Sequence, residues 1–424
     1  MIRFSPTISR WVGASALVAL LAIPLVSCAP LNAGSAAATV FPEATYPAGK
    51  WKDCPLPGQV KRQCMGVEVG QESNENATQV RLAVALTPAE KTSRGILIVD
   101  PGGPTISGAL FQASFAARAP QSIRDNFDIV GYDRRGFGAS SPTTCEIDDP
   151  PAFEASSIDE DWSAYEPQLK RQLAECQTNR EDPVFTAGIR AGVRDLEAVR
   201  EALKVDQVNM LAISYGTLLG QAYLAEHPDR VRTMILDGVV DPTVSGPVRS
   251  LNDSLDLETA KASYGTDRDP KIAEGFAAAL TELQKSYPAF PSYSQDLAYL
   301  CTDFTWPTSP AGLAAWGLSL EEQADVLTSR APCVLWPTRA PVGTLSFKDS
   351  PKPLIINSTK DARTPLAGAQ AVARATGGTL LTMPGPFHGL TGSFTCPTQR
   401  AADYLLSGIL PAPGECPAPK VSVD

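Results

Sequence analysis

The chain has 424 residues, enough for one large domain with insertions or for two. Hydrophobic residues make up 43% and charged residues 19%, which supports a sizeable packed core and argues against disorder as the default state. A net charge of −10 at pH 7 argues against nucleic acid as a partner, because phosphate binding needs a basic face.

The first residues read as an export signal. Arg3 and Arg10 are its only charged side chains, and the apolar run over residues 11–26 is too short and too poorly flanked for a spanning helix. That run ends in Leu25-Val26-Ser27-Cys28, which resembles the lipobox of bacterial lipoproteins, where cleavage precedes the cysteine and its thiol takes a diacylglycerol. This predicts a signal peptide over residues 1–27, lipidation at Cys28, and membrane contact through that N-terminal anchor alone. The protein would then sit in the cell envelope on the outer face of the membrane; a plain secretory signal with Cys28 incidental is the alternative. Residues 28–47 are rich in Ala, Ser, Gly and Pro and read as a tether.

Nine cysteines less Cys28 leave eight, an even number suited to a compartment where disulfides persist. By proximity they fall into the couples Cys54 with Cys64, Cys145 with Cys176, Cys301 with Cys333, and Cys396 with Cys416. None stands at a Cys-x-x-Cys or His-bearing spacing, so neither a metal nor a cofactor is expected.

From residue 48 onward, apolar strand-like runs alternate with helical patterns, the mark of an α/β fold with a mostly parallel sheet flanked by helices. The strand candidates are residues 95–100, 127–133, 208–213, 231–236, 353–357 and 379–383, with helices including 193–204 and 217–226. Continuous apolar runs of this kind suit strands buried on both faces. The alternation breaks over residues 243–348, which read as a mainly helical cap inserted between core segments 48–242 and 349–424, over the sheet's carboxyl edge.

Ala212-Ile213-Ser214-Tyr215-Gly216 falls where a buried strand gives way to a helix, the setting of a strained turn that exposes a nucleophilic serine. A serine that merely caps the following helix is the plain alternative. A serine needs a base, and the chain has two histidines. His227 lies at the far end of the helix that begins at the turn, about 15–20 Å from Ser214 at about 1.5 Å per residue, and is read as structural. His388, in the loop directly after the strand candidate at 379–383, is the candidate base. Asp361, after the strand candidate at 353–357, is the favoured acid. Asp237 and Asp241, which follow the strand candidate at 231–236, compete with it, and the chain order permits all three. Backbone N–H donors for a developing oxyanion are expected from Tyr215 and from Pro101-Gly102-Gly103-Pro104; only the glycines of that stretch carry an N–H, and Gly103 is the choice.

These segments together resemble the exported actinobacterial tripeptidyl-aminopeptidase-like, or prolyl-aminopeptidase-like, branch of the α/β-hydrolases. The resemblance rests on Pro101-Gly102-Gly103-Pro104 with Gly108, on Asp133-Arg134-Arg135-Gly136-Phe137-Gly138, and on Ser214-Tyr215-Gly216-Thr217. It extends through Asp237-Gly238-Val239-Val240-Asp241-Pro242, Cys301-Thr302-Asp303, Cys333-Val334-Leu335-Trp336-Pro337, Asp361 with Thr364-Pro365, and His388-Gly389. Thr105 and Ile106 stand where that family's loop continues with two glycines. The resemblance implies an α/β-hydrolase fold and a serine exopeptidase releasing short peptides or single residues from free N-termini. The same machinery on an ester, and a non-catalytic binding lipoprotein, are the other readings. A free amino terminus would call for a carboxylate near the cap; Asp303 is a candidate by position, with a solvated surface role equally open.

Overall fold

Continuous apolar runs set the centre of the molecule. The computed structural model describes residues 49–53, 62–70, 79–179, 182–243 and 293–418. The lipobox with Cys28, the tether and the first half of the cap insertion lie outside these residues. Ten strands of the described residues form one sheet: β1 (Lys52–Asp53), β2 (Gln63–Gly70), β3 (Gln79–Thr87), β4 (Ile96–Asp100), β5 (Asp128–Tyr132), β6 (Val208–Ile213), β7 (Val231–Asp237), β8 (Leu354–Ser358), β9 (Thr379–Met383) and β10 (Gly414–Glu415). Their order is β1-β2-β3-β5-β4-β6-β7-β8-β9-β10. The pairs from β1 to β5 through β2 and β3 are antiparallel, and all later pairs are parallel.

The six strands expected from apolar runs are all present, to within a residue or two at their ends. Absent from that expectation are β1 to β3 and β10. β1 and β10 are exposed two-residue strands at the two edges of the sheet, too short to show a pattern, whereas β3 does carry a continuous buried run over residues 82–87, preceded by the polar Gln79 and Arg81.

Successive side chains of a strand point to opposite faces, and the core divides accordingly. Ile96 and Ile98 of β4 pack in one buried cluster with Met210, Ala212 and Leu236, while Leu97 and Val99 pack in another with Leu211, Ile213 and Ile235. The first cluster is covered by α4 (Ile189–Ala202) and α5 (Gly216–Glu226), the second by α1 (Gly108–Arg118), the short α2 (Gln121–Arg124) and a C-terminal helix, Thr395–Ser407. Every residue of α5 from Gly216 to Leu224 is buried, which is why this stretch is apolar all round rather than amphipathic.

Register brings the carboxyl ends of the central strands level. Asp100 of β4 stands beside Ala212 of β6, Ile213 beside Asp237 of β7, and Asp237 beside Ile356 of β8. The loops after these four strands therefore emerge along one edge, where open α/β sheets bind ligands.

Two helical excursions lie against the loops of this edge. One contains α3 (Ile158–Thr178), which the reading of residues 143–188 did not anticipate, although Trp162, Tyr165, Leu169, Leu173 and Cys176 recur at helical spacing and are its buried face. The other is the described part of the cap segment: α6 (Tyr293–Asp303), a 3₁₀ stretch (Pro310–Trp316), α7 (Leu320–Arg330) and α8 (Pro332–Leu335). Disulfides Cys145–Cys176 and Cys301–Cys333 tie these excursions, and Cys396–Cys416 holds the C-terminal segment. Three of the four couples expected by proximity are thus formed; Cys54 of the fourth lies outside the described residues. Three disulfides fit an oxidising, extracytoplasmic compartment. No helix among the described residues is long and apolar enough to cross a membrane.

Arg135, in the turn after β5, is paired with Asp195 of α4, each side chain 1% exposed, with Nε 2.9 Å from a carboxylate oxygen. Removing one member of such a pair strands the other charge in the core. Arg135→Met is expected to lower unfolding free energy by about 3–5 kcal/mol in urea titrations; a loss below about 1 kcal/mol would show that Asp195 finds other compensation.

Candidate functional site

The turn after β6 is strained in the manner expected of an exposed nucleophile. Ser214 has a φ of +57°, a left-handed conformation that is costly for a residue bearing a Cβ. Its N–H donates to the Asp237 carbonyl at 2.9 Å, and its own carbonyl accepts the Thr217 N–H at 2.8 Å. No side chain caps α5, so the capping alternative for the Ser214 hydroxyl does not apply.

Asp361 and His388 meet. The His388 Nδ1 lies 2.9 Å from Asp361 Oδ2. Asp361 is otherwise filled by its own turn: Oδ1 accepts the N–H groups of Arg363 at 2.9 Å and Thr364 at 3.0 Å, and Oδ2 accepts the Thr364 hydroxyl at 2.8 Å. Thr364 Oγ1 is also 3.3 Å from His388 Nδ1. Thr364 is thus a part of the site that the reading of single residues missed, although it belongs to the Asp361-x-x-Thr364-Pro365 stretch.

The two competing acids are employed elsewhere. Asp241 bonds locally to the N–H and hydroxyl of Thr243. Asp237 is fully buried and accepts the N–H groups of Leu390, at 2.8 Å, and Thr391, at 2.6 Å. Burial pushes its carboxyl pKa up, and these N–H groups oppose that. Asp237 therefore clasps the loop that carries His388 to the strand end beside Ser214.

His388 packs over the turn after β7. A Cβ at Gly238, whose φ is +65°, would lie 3.2 Å from His388 Cε1, and one at Gly389 would lie 3.2 Å from Ile213 Cγ2. These contacts bring Ser214, Asp361 and His388 to one strand edge. No hydrogen bond joins the Ser214 hydroxyl to His388 among the described residues, and such bonds are often long before substrate binds. His227 ends α5 with its ring 5.1 Å from that of Tyr223, as a structural histidine would.

The glycine loop after β4 lies against the same turn. Gly102 has a φ of +83°, and a Cβ there would lie 2.4 Å from the Ile213 carbonyl oxygen and 2.9 Å from the Tyr215 nitrogen. Only glycine permits this approach. The Gly102 N–H is taken by Asp100 Oδ1 at 2.9 Å. The N–H groups of Gly103 and Tyr215 carry no hydrogen bond among the described residues. Buried Arg134 fastens this loop, bonding Asp100, the Gly102 carbonyl at 3.0 Å and the Pro104 carbonyl. Asp133, its neighbour, accepts the Ser107 hydroxyl and the N–H groups of Ala109 and Ala139.

One face of α6 looks onto these loops. Asp296, Tyr299 and Asp303, spaced at helical intervals, bond respectively to the Thr105 hydroxyl, the Arg135 carbonyl and the Tyr215 hydroxyl. Asp303 is 3% exposed and also accepts the Ile189 N–H at 2.8 Å. The surface role left open for it is therefore wrong: its spacing behind a cysteine does not reveal that α4 and Tyr215 enclose it. Burial, opposed chiefly by the Tyr215 bond, pushes its pKa up to about 7.

With this geometry in view, the comparisons with known proteins assign the class. Residues 95–285 match the family model described as the alpha/beta hydrolase fold, and the chain is an α/β-hydrolase. Residues 322–416 match the model described as TAP-like protein. It is similar to a tripeptidyl aminopeptidase of Streptomyces coelicolor, 26% identical over 84% of each chain. It is also similar to carboxylesterase B of Mycobacterium tuberculosis, 29% identical over 82% of this chain and 85% of that one. The serine protease Hip1 of the same organism is 30% identical over 59% of this chain and 51% of its own length. The family thus has members named as peptidases and as esterases.

Asp303 yields a stability test. Its carboxyl titrates at about 7 when folded against an ordinary 3.8, so between these values the folded state binds more protons than the unfolded one. Stability from this group is complete below the ordinary pKa and is lost as pH rises through the folded one. Relative to Asp303→Asn, the native protein is expected to lose up to ~1.4 kcal/mol per pH unit across that window. Denaturant titrations of both proteins at several pH values check this; parallel pH curves would contradict it.

Proposed function

We propose that the protein is a serine hydrolase acting through Ser214, His388 and Asp361, and that its substrates are peptides with free N-termini. Ser214 Oγ attacks the scissile carbonyl carbon while His388 takes the hydroxyl proton on Nε2. Asp361 accepts the hydrogen bond from Nδ1–H, which holds the tautomer and stabilises the imidazolium. The N–H groups of Tyr215 and Gly103 receive the oxyanion. His388 then protonates the departing amine, and water, deprotonated by the same nitrogen, releases the acyl group from Ser214.

The observation that carries this reading is the 2.9 Å contact between His388 Nδ1 and Asp361, which leaves the other ring nitrogen for the serine. The left-handed turn at Ser214 and the two unengaged N–H groups support the same assignment. Peptide as substrate rests on the similarity to the tripeptidyl aminopeptidase across most of both chains. An ester substrate is the second reading, favoured by comparable similarity to carboxylesterase B. Lipidation at Cys28 would hold this chemistry at the outer face of a membrane.

The test compares peptide p-nitroanilides with free and acetylated N-termini alongside a p-nitrophenyl ester. Ser214→Ala is expected to abolish turnover and fluorophosphonate labelling, and Asp361→Asn to lower kcat by roughly 10⁴-fold. Turnover of the ester alone would replace the peptidase reading with the esterase one. Absence of labelling in folded wild-type protein would remove both.

A further inference from the structure

We propose that Asp303 is a positioning residue for catalysis: through the Tyr215 hydroxyl it sets the direction of the Tyr215 backbone N–H that receives the oxyanion. This rests on the serine-hydrolase reading above and holds for a peptide or an ester alike. The helix α6 thereby supplies part of the oxyanion machinery, beyond covering the sheet edge.

The Tyr215 side chain is fixed along its length. The residue is fully buried, and its hydroxyl donates to Asp303 Oδ2, the partner that a buried phenol needs. The Arg134 guanidinium lies 5.2 Å from its ring centroid, and the Tyr299 ring meets it edge-on at 6.1 Å. Asp303 is itself immobilised. Its Oδ1 accepts the Ile189 N–H of α4 at 2.8 Å, and a Cβ at Gly188 would lie 2.8 Å from the same oxygen. The Cys301–Cys333 disulfide ties this end of α6 to α8.

Covalent geometry carries this order to the backbone. At Tyr215 the bonds from Cα to N, C and Cβ keep nearly fixed angles. The Leu218 N–H holds the carbonyl at 3.0 Å and the anchored ring holds Cβ, which leaves one direction for the nitrogen. Its position is confined on the other side too, since a Cβ at Gly102 would lie 2.9 Å from it. Ser214, the residue before, sits at a φ of +57°, a strain that persists only where the surroundings over-determine it. Asp237 restrains the turn ahead of the serine, by taking the Ser214 N–H, and Asp303 restrains it behind. A group misplaced by about 1 Å can cost on the order of 10²-fold in rate, so an anchor on this side chain is felt at the reacting atoms.

The experiment compares Tyr215→Phe, which deletes the hydroxyl but keeps the ring and the backbone N–H, with Asp303→Ala and Asp303→Asn. The substrate is whichever of a peptide p-nitroanilide and a p-nitrophenyl ester the wild type turns over. Tyr215→Phe and Asp303→Ala are expected to lower kcat roughly 10- to 100-fold, with KM changed by less than about threefold. Affinity for a trifluoromethyl ketone, whose adduct with Ser214 carries an oxyanion, should weaken by the same factor as kcat/KM. Asp303→Asn, which keeps a polar atom toward the Tyr215 hydroxyl, should recover most of the rate. The double variant Tyr215→Phe/Asp303→Ala should be no slower than the slower single one, because both break the same contact. Urea titrations check that each protein is folded, and Tyr215→Phe, which removes one atom, decides alone where Asp303→Ala is not. A folded Tyr215→Phe with kcat within about twofold of wild type overturns the inference. A loss confined to KM, with ketone affinity unmoved, also overturns it and leaves the contact purely structural. If folded wild-type protein takes no fluorophosphonate and cleaves neither substrate, the serine-hydrolase reading fails first and the inference with it.

Discussion

Arg134 carries a guanidinium into the core, and the geometry of the site depends on what that charge finds there. It pairs with Asp100 at the end of β4, bonds the carbonyls of Gly102 and Pro104, and stacks 5.2 Å from the ring centroid of Tyr215. A planar fork of fixed donors suits two carbonyls and a carboxylate at once, which an ammonium on a flexible stem does not. The cost of burying the charge is offset only when all of these partners are in place. The glycine loop, the strand end and the residue after Ser214 are thereby held as one unit.

The loop on the other side of Ser214 is held by a second buried charge. Asp237 accepts two consecutive N–H groups just beyond His388, and its own carbonyl takes the N–H of Ser214. One residue thus fixes both the serine turn and the histidine loop. The acid that touches the ring, Asp361, is positioned independently by the turn that contains Thr364. Separating these two tasks leaves the imidazole held from one side while its loop is clasped from another.

The helix α6 closes the arrangement from above the sheet edge. Its Asp296, Tyr299 and Asp303 touch, in order, the glycine loop, the turn after β5 and the serine turn. Covering a polar edge in this way removes water from around the buried groups and strengthens their electrostatics. It also distinguishes two carboxylates seven positions apart, one sealed by its partners and the other left partly open.

The sequence by itself determined the central strands, because a strand buried on both faces must be a continuous apolar run. It also singled out Ser214 as the candidate nucleophile, since a strand, a turn and a helix around one serine is a local pattern, and His388 as the candidate base, since only two histidines exist and one lies far down a helix. The three observed disulfides were legible from proximity along the chain. What sequence could not decide was which of Asp237, Asp241 and Asp361 touches the histidine, because all three follow strands whose carboxyl ends are brought level only by sheet register. The burial of Asp303, the clasp by Asp237 and the fastening of the glycine loop by Arg134 were hidden for the same reason. Each joins residues distant in the chain, and hydrogen bonds between such residues are fixed by packing rather than by any local pattern. Only the tertiary structure supplies that proximity.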